Sequence, residues 1–262
     1  MDYTLPDTNL VEIKTMEQVA NRGIFEIGPL SPGYGVTLGN SLRRVLLSSL
    51  EGAAITSVKI EGATHQFSTL PKVTEDVVEI ILNLKTLRFI SKSEDPVTLK
   101  LNAKGPKNVT AQDFTENSNC QIVNTEAHLA TIGKGGSINM EIIVVKGRGY
   151  VPVEKRKDEK LPIGTISVDS IFTPVKKVHY EVENTRVGGM TNFDKLTMEI
   201  TTDGSLDPDE ALQTAAKILL EHFSLIDKAC QKVVPEVKTK VKNEKVKKAK
   251  TVAKKTVKKV KK

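Results

Sequence analysis

Residues 33–52 read GYGVTLGNSLRRVLLSSLEG, a leucine-rich helical pattern between glycine-bounded ends with two arginines side by side in its middle. At about 100° per residue, with Leu42 as origin, Leu38, Val45, Leu46 and Leu50 fall within an arc of about 140°, the width of a core-facing stripe. Arg44 lies on the far side with Asn40 and Ser48 one turn away, and Leu47 falls between Arg43 and Arg44. Asn40, Arg43, Arg44 and Leu47 therefore form a second surface. Two readings fit it. One is a scattered surface leucine beside solvated arginines; the other is an apolar centre rimmed by guanidinium and amide groups, as at protein interfaces.

Outward from this helix, GIFEIGPL (23–30) alternates apolar residues and ends at a proline, which predicts a strand and a turn. AAITSVKIEG (53–62) predicts another strand. In KVTEDVVEIILNLKTLRF, Val77, Ile80, Ile81, Leu84 and Leu87 take helical spacing, with Thr74 as N-cap and Glu75 and Asp76 in the first turn. From about residue 96 to 183 the pattern is β: PVTLKL, SINMEIIVV, TISVDSIF and VHYEVE are short runs broken by Gly, Pro and Asn. TNFDKLTMEITTDG is a further strand. GSLDPDEALQTAAKILLEHFSLID is the clearest helix, with Asp207 to cap, Pro208 at its first position and Glu210 completing a capping-box-like arrangement. Its apolar arc spans about 220° and includes Leu212, Leu219 and Phe223, so it must bury more than one side. A partner subunit or a single larger core would each do so.

These elements predict an α+β protein with three helices and an antiparallel sheet. The outer segments, 1–52 plus 175–232, and their two long helices combine into one unit. A β-rich inserted subdomain occupies 53–174, and a Lys-rich tail occupies 233–262.

The 262 residues carry a net charge of +7, but residues 236–262 hold 13 Lys and 2 Glu, a net of +11. Subtracting the tail leaves the body at −4. Lys, Val, Thr and Ala without aromatics cannot assemble a core, so the tail is expected to be disordered. It is either a solvated extension or a non-specific DNA contact through Lys247, Lys248, Lys254, Lys255, Lys258 and Lys259. The N-terminus lacks the pattern of a signal peptide, and no run approaches the roughly 18 apolar residues of a membrane span. Two distant cysteines, Cys120 and Cys230, point to reduced thiols and a cytoplasmic setting.

Nothing in the chain reads as a reaction centre. His65, His128, His179 and His222 have no metal-ligand spacing, and His222 reads as a satisfied packing histidine. IGKGGS (132–137) and KGRGY (146–150) lack a following capped helix to direct amides at a phosphate, so they read as turns or bulges. No metal, cofactor or small-molecule substrate is expected.

FEIGPLSPGYGVTLGNSLRRVLLSSLEG, TEDVVEIILNLK, GRGYVP, PIGTISVDSIFTPV and LDPDEALQTAAKILLEHF occur in the order and spacing of the bacterial-type RNA polymerase alpha subunit, and the resemblance spans about residues 10–230. It implies a homodimeric scaffold, associated with the nucleoid, that nucleates assembly of the beta and beta-prime subunits. The dimer would meet along the two long helices, through Leu38, Leu42, Leu46, Leu50, Leu212, Leu219 and Phe223. Arg44 matches a beta-engaging position, with Asn40, Arg43 and Leu47 beside it. STLPKVTED (68–76), with Thr74, Glu75 and Asp76, matches a second beta-facing region, although LPK departs from the commoner pattern. Lys177 and Arg186 fall in the segment matching the beta-prime contact. Family members usually continue into a small DNA-binding helical domain, where this chain has the lysine tail. The alternative, a stand-alone dimeric DNA-binding protein working through its basic tail, would spread basic charge over the fold, whereas residues 1–235 are net −4.

Overall fold

The computed structural model describes residues 11–156, 162, 164–187 and 190–230. In chain order the elements are β1 (Glu12–Val19), β2 (Arg22–Leu30), α1 (Tyr34–Ser48), β3 (Glu51–Ile60), α2 (Val77–Lys85), β4 (Phe89–Ser91), β5 (Val97–Lys104), β6 (Lys107–Thr110), β7 (Cys120–Ile122) and β8 (His128–Ile132). There follow β9 (Ser137–Arg148), β10 (Tyr150–Val151), β11 (Thr165–Ser167), β12 (Ser170–Ile171), β13 (Val175–Val187) and β14 (Met190–Thr202). A third helix, α3, covers 208–230. The chain divides into two compact units between Ala215 and Ala216. The class is α+β with antiparallel pairing, as the sequence pattern predicts.

One four-stranded sheet has the order β1-β2-β14-β13 and joins strands from both ends of the described chain. Alternation builds its inner face: Phe25 and Ile27 from β2 and Leu196, Met198 and Ile200 from β14 are buried, while the residues between them are not. Each such side chain contributes about 1.5–3 kcal/mol of burial. Against the strands β13 and β14 lies α1, and two of its glycines set the distance. A Cβ on Gly35 would stand 2.7 Å from Val182 Cγ1, and one on Gly39 would stand 2.6 Å from the Tyr180 ring. Only hydrogen fits at those positions, so the helix backbone can sit close to the strands.

The second sheet has the path β5-β9-β3-β4-β7, with β11 pairing to β3. Strand β5 alternates strictly, burying Val97, Leu99, Leu101 and Ala103. Together with Ile138, Met140, Ile142 and Val144 of β9 and Val77, Ile80, Ile81 and Leu84 of α2, these residues form one hydrophobic core. Gly135 takes φ 71 in the β8–β9 turn, which accounts for IGKGGS as a turn requiring the left-handed region.

The N-cap of α2 is Asp76, not Thr74. Asp76 is extended and its Oδ1 accepts from the Glu79 amide at 2.8 Å, while the Thr74 amide donates to the Thr131 carbonyl. Side-chain capping requires an acceptor three residues before the orphan amide, and Asp76 holds that position. His222 also departs from expectation: Nδ1 lies 2.8 Å from the Ile218 carbonyl oxygen, which satisfies it, but the residue is exposed rather than packed. Cys120 is buried and Cys230 exposed, and both are free.

Candidate protein-interaction surface

The N-terminus of α1 is fixed from a distance. Gly33 occupies the N-cap position at φ 84 and has no side chain to cap with. Asp194 on β14 takes over: its Oδ2 accepts from the Gly33 amide and from the Gly35 amide, each at 2.9 Å. A negative charge at the positive end of a helix is stabilising, and here the carboxylate also satisfies two orphan donors. Asp194 is only 7% exposed. Farther along, the Ser41 hydroxyl donates to the Thr37 carbonyl at 2.7 Å and the Ser48 hydroxyl to the Arg44 carbonyl at 2.7 Å. These polar residues bond within the helix and leave the longer side chains as the projecting groups.

Gly35, Gly39, Leu42 and Leu46 are the buried face of α1. Leu38, Val45 and Leu47 are half-buried, and Asn40, Arg43 and Arg44 are exposed. Neither guanidinium makes a hydrogen bond or an ion pair among the described residues, so α1 presents two uncompensated positive charges beside a partly open leucine. Val36, 55% exposed, belongs to the same surface. It precedes Asn40, Arg43 and Leu47 by four, seven and eleven residues, the spacing of one helical stripe. The helical wheel contained this signal, since Val36 falls at about 120° from Leu42.

The proposed dimer residues separate into two groups. Leu42, Leu46, Leu50 and Leu212 are at most 8% exposed within their own chain, because sheet and helix already cover them. Leu38 and Leu219 are half-buried, and Phe223 is 61% exposed. Leu220, Leu225 and Ile226, in the unit that starts at Ala216, are also largely exposed. The largely exposed apolar side chains of this set are therefore on residues 216–230, whereas Leu42, Leu46 and Leu50 are covered within their own chain.

The 68–76 segment is held by a buried carboxylate. Glu75 Oε2 accepts from the Thr131 amide at 2.6 Å, and Oε1 accepts from the Thr131 hydroxyl at 2.9 Å and lies 3.0 Å from His128 Nε2. Burial alone would raise its pKa; the Thr131 amide, the His128 ring and the Thr131 hydroxyl outweigh that and hold it below the usual carboxylate value. Glu75 thus pins the loop to β8, and Asp76 caps α2. Of the three residues expected there, Glu75 is buried and bonded within its own chain, whereas Thr74 and Asp76 are exposed, Asp76 with its Oδ1 on the Glu79 amide. Lys72, within the divergent LPK, takes φ 62, and its Nζ donates to the Gly135 carbonyl at 3.2 Å.

On β13, Lys177 is exposed and its Nζ lies 4.0 Å from Glu199 Oε1, which also accepts from Arg22 Nε at 2.9 Å. The bond from Arg22 leads the effects that hold the Glu199 carboxyl below its ordinary value. Arg186 is exposed on the same strand. The six tail lysines lie outside the described residues. Among the described residues no three His, Cys, Asp or Glu side chains are grouped to hold a metal, and no helix is long and apolar enough to cross a membrane.

Residues 58–173, which include α2 and most of the second sheet, match the family model of the RNA polymerase Rpb3/RpoA insert domain. Three curated relatives cover 82% of the chain over 215 residues, and each is named DNA-directed RNA polymerase subunit alpha. They come from Symbiobacterium thermophilum (53% identical, 68% of the relative covered), Moorella thermoacetica (54%, 69%) and Oceanobacillus iheyensis (51%, 68%). The chain belongs to the DNA-directed RNA polymerase alpha-subunit family. A stand-alone DNA-binding protein is not favoured.

Proposed function

We propose that this chain is the homodimeric platform of the polymerase. Residues 1–52 and 175–232 act as the assembly domain, 53–174 as its insert and 233–262 as a basic tail. The exposed apolar residues Leu220, Phe223, Leu225 and Ile226, with Leu38 and Leu219, gather two copies. The opposite surface of α1, with Val36, Asn40, Arg43, Arg44 and Leu47, captures beta, and β13 around Lys177 and Arg186 meets beta-prime. The tail holds upstream DNA through phosphate contacts, which carry no direct sequence information, and the assembly works in the cytoplasm at the nucleoid. One observation carries the beta reading: both guanidiniums stand exposed and unpaired on the side of α1 that its own sheet does not use.

The test is Arg44→Ala in the full chain. An arginine desolvated against a carboxylate or carbonyl contributes about 2–5 kcal/mol on truncation. The variant should therefore remain a dimer by sedimentation while its affinity for purified beta falls at least tenfold. A variant that dissociates into monomers, or that binds beta like the parent, refutes the surface assignment.

A further inference from the structure

The path β5-β9-β3-β4-β7 ends in two strands that lie far apart in the order of the sheet, yet β5 and β7 line the same cavity. Its volume of about 630 Å³ falls within the range of about 300–1,000 Å³ that holds small-molecule ligands. Leu99 of β5, Phe114 and Cys120 of β7 line it and are buried members of the hydrophobic core, so the cavity opens inward onto apolar atoms. The sheet is therefore curled, with its two ends facing one another across a seam. Residues 114 and 115 lie on the β5 side of that seam: Phe114 bridges Leu101, and the Thr115 amide donates to the Lys100 carbonyl at 2.8 Å. The chain then turns back into β7 through a bridge between Asn117 and Cys120.

Among the described residues, β7 pairs with β4 on one side and with no strand on the other. The phase of that pairing decides what the free edge presents. The Lys92 amide donates to the Asn119 carbonyl and the Val123 amide to the Arg88 carbonyl, each at 2.9 Å. In an antiparallel pair the backbone groups of alternate residues point to opposite edges. Asn119, Gln121 and Val123 therefore turn to β4, and the N–H and C=O of Ile122, which lines the cavity, turn to the seam. A donor and an acceptor side by side above an apolar floor match a carboxamide carried on an apolar body. A charged ligand finds no complement. The charged residues around the cavity are Lys92 and Glu116, both exposed and of opposite sign, and burial pushes the Cys120 thiol up to about 11, so it stays protonated near neutrality. We propose that the seam between β5 and β7 is a binding site for an uncharged, amide-bearing small molecule, paired with the main chain of Ile122 and resting its apolar part on Leu99 and Phe114. The site is separate from the surfaces assigned to beta and to a second copy.

The experiment titrates the full chain, labelled at its isoleucine and leucine methyl groups, with benzamide and follows the methyl resonances. Ile90, Leu99 and Ile122 should shift saturably with a Kd of about 1–10 mM, the range of so small a ligand, while Ile13 and Ile226 on open surface stay unmoved. Benzoate and protonated benzylamine keep the ring but bring a charge to an apolar floor, and each should bind at least about tenfold more weakly. N,N-dimethylbenzamide has no N–H to donate to the Ile122 carbonyl and should lose about two- to tenfold. Ile122→Pro removes an N–H that the β4–β7 ladder does not use and should weaken benzamide by a similar factor. The ligand series keeps the test decisive if that variant does not fold. Absence of a saturable shift at Ile90, Leu99 and Ile122, or equal shifts at Ile13 and Ile226, overturns the site. Benzoate or benzylamine binding there as tightly as benzamide overturns the uncharged class, and N,N-dimethylbenzamide binding as tightly overturns the pairing with Ile122.

Discussion

The carboxylate of Asp194 does for the N-terminus of α1 what no capping side chain within the helix does, and the structure sets the size of the effect. Asp194→Ala removes the acceptor for two amides. The Gly33 amide lies at an exposed residue, where water can replace the lost oxygen, so its share falls to about 0.5–1.5 kcal/mol. The Gly35 amide is buried against Val182 and would be left unsatisfied, at a cost of about 1.5–3 kcal/mol. The total is about 2–4 kcal/mol. Asp194→Asn keeps an acceptor oxygen but loses the charge facing the positive helix end, and should cost about 1–2 kcal/mol. Urea unfolding followed by circular dichroism reads both, at one fixed protein concentration because self-association would make the stability depend on it. With a slope of about 1–3 kcal/mol per molar urea, Asp194→Ala should lower the midpoint by about 1 M or more. The order parent, Asn, Ala is the signature. An Asp194→Ala variant within about 0.5 kcal/mol of the parent, the range of an ordinary surface substitution, would refute the long-range cap.

Two further outcomes follow from charge. Because the folded protein holds the Glu75 carboxyl below its unfolded value, its contribution is fully present above the ordinary carboxylate range, about pH 4.3, and is lost as pH falls through the folded value. Glu75→Gln should be less stable than the parent near neutrality by about 1–3 kcal/mol and should lose less stability on acidification; parallel pH slopes would show that the carboxylate is not the source. Deleting 236–262, which removes a net +11, should weaken binding to duplex DNA of any sequence. It should also flatten the dependence on salt, at about 0.9 log units per log unit of salt for each phosphate no longer neutralised. An unchanged slope would remove the tail from DNA binding.

Periodicity exposed the parts of this protein in which a residue's role is decided by its own neighbours in sequence. The alternation in 23–30 and 97–104 became β2 and β5, the i, i+3, i+4 pattern after Asp76 became α2, and the arginines of α1 came out exposed. What stayed hidden depends on partners far along the chain. Gly35 and Gly39 carry no signal of their own in the helical pattern, yet they seat α1 on Val182 and Tyr180, more than 140 residues away. The cap of α1 comes from Asp194 and the anchor of Glu75 from Thr131, and no local pattern marks either. Strands of three or four residues such as β4, β6 and β7 are too short to show a period. Strand β1 is exposed along its whole length, so it has no buried face to alternate with. The same limit governs the surface of α1: a wheel sorts side chains by angle but does not reveal which side the chain fills by itself. Of the leucines on that stripe, Leu42, Leu46 and Leu50 are buried within their own chain, while Leu38 is half-buried. The side chains left open are those that remained after such distant pairings closed, which is why they include Val36, Arg43 and Arg44 and exclude Glu75.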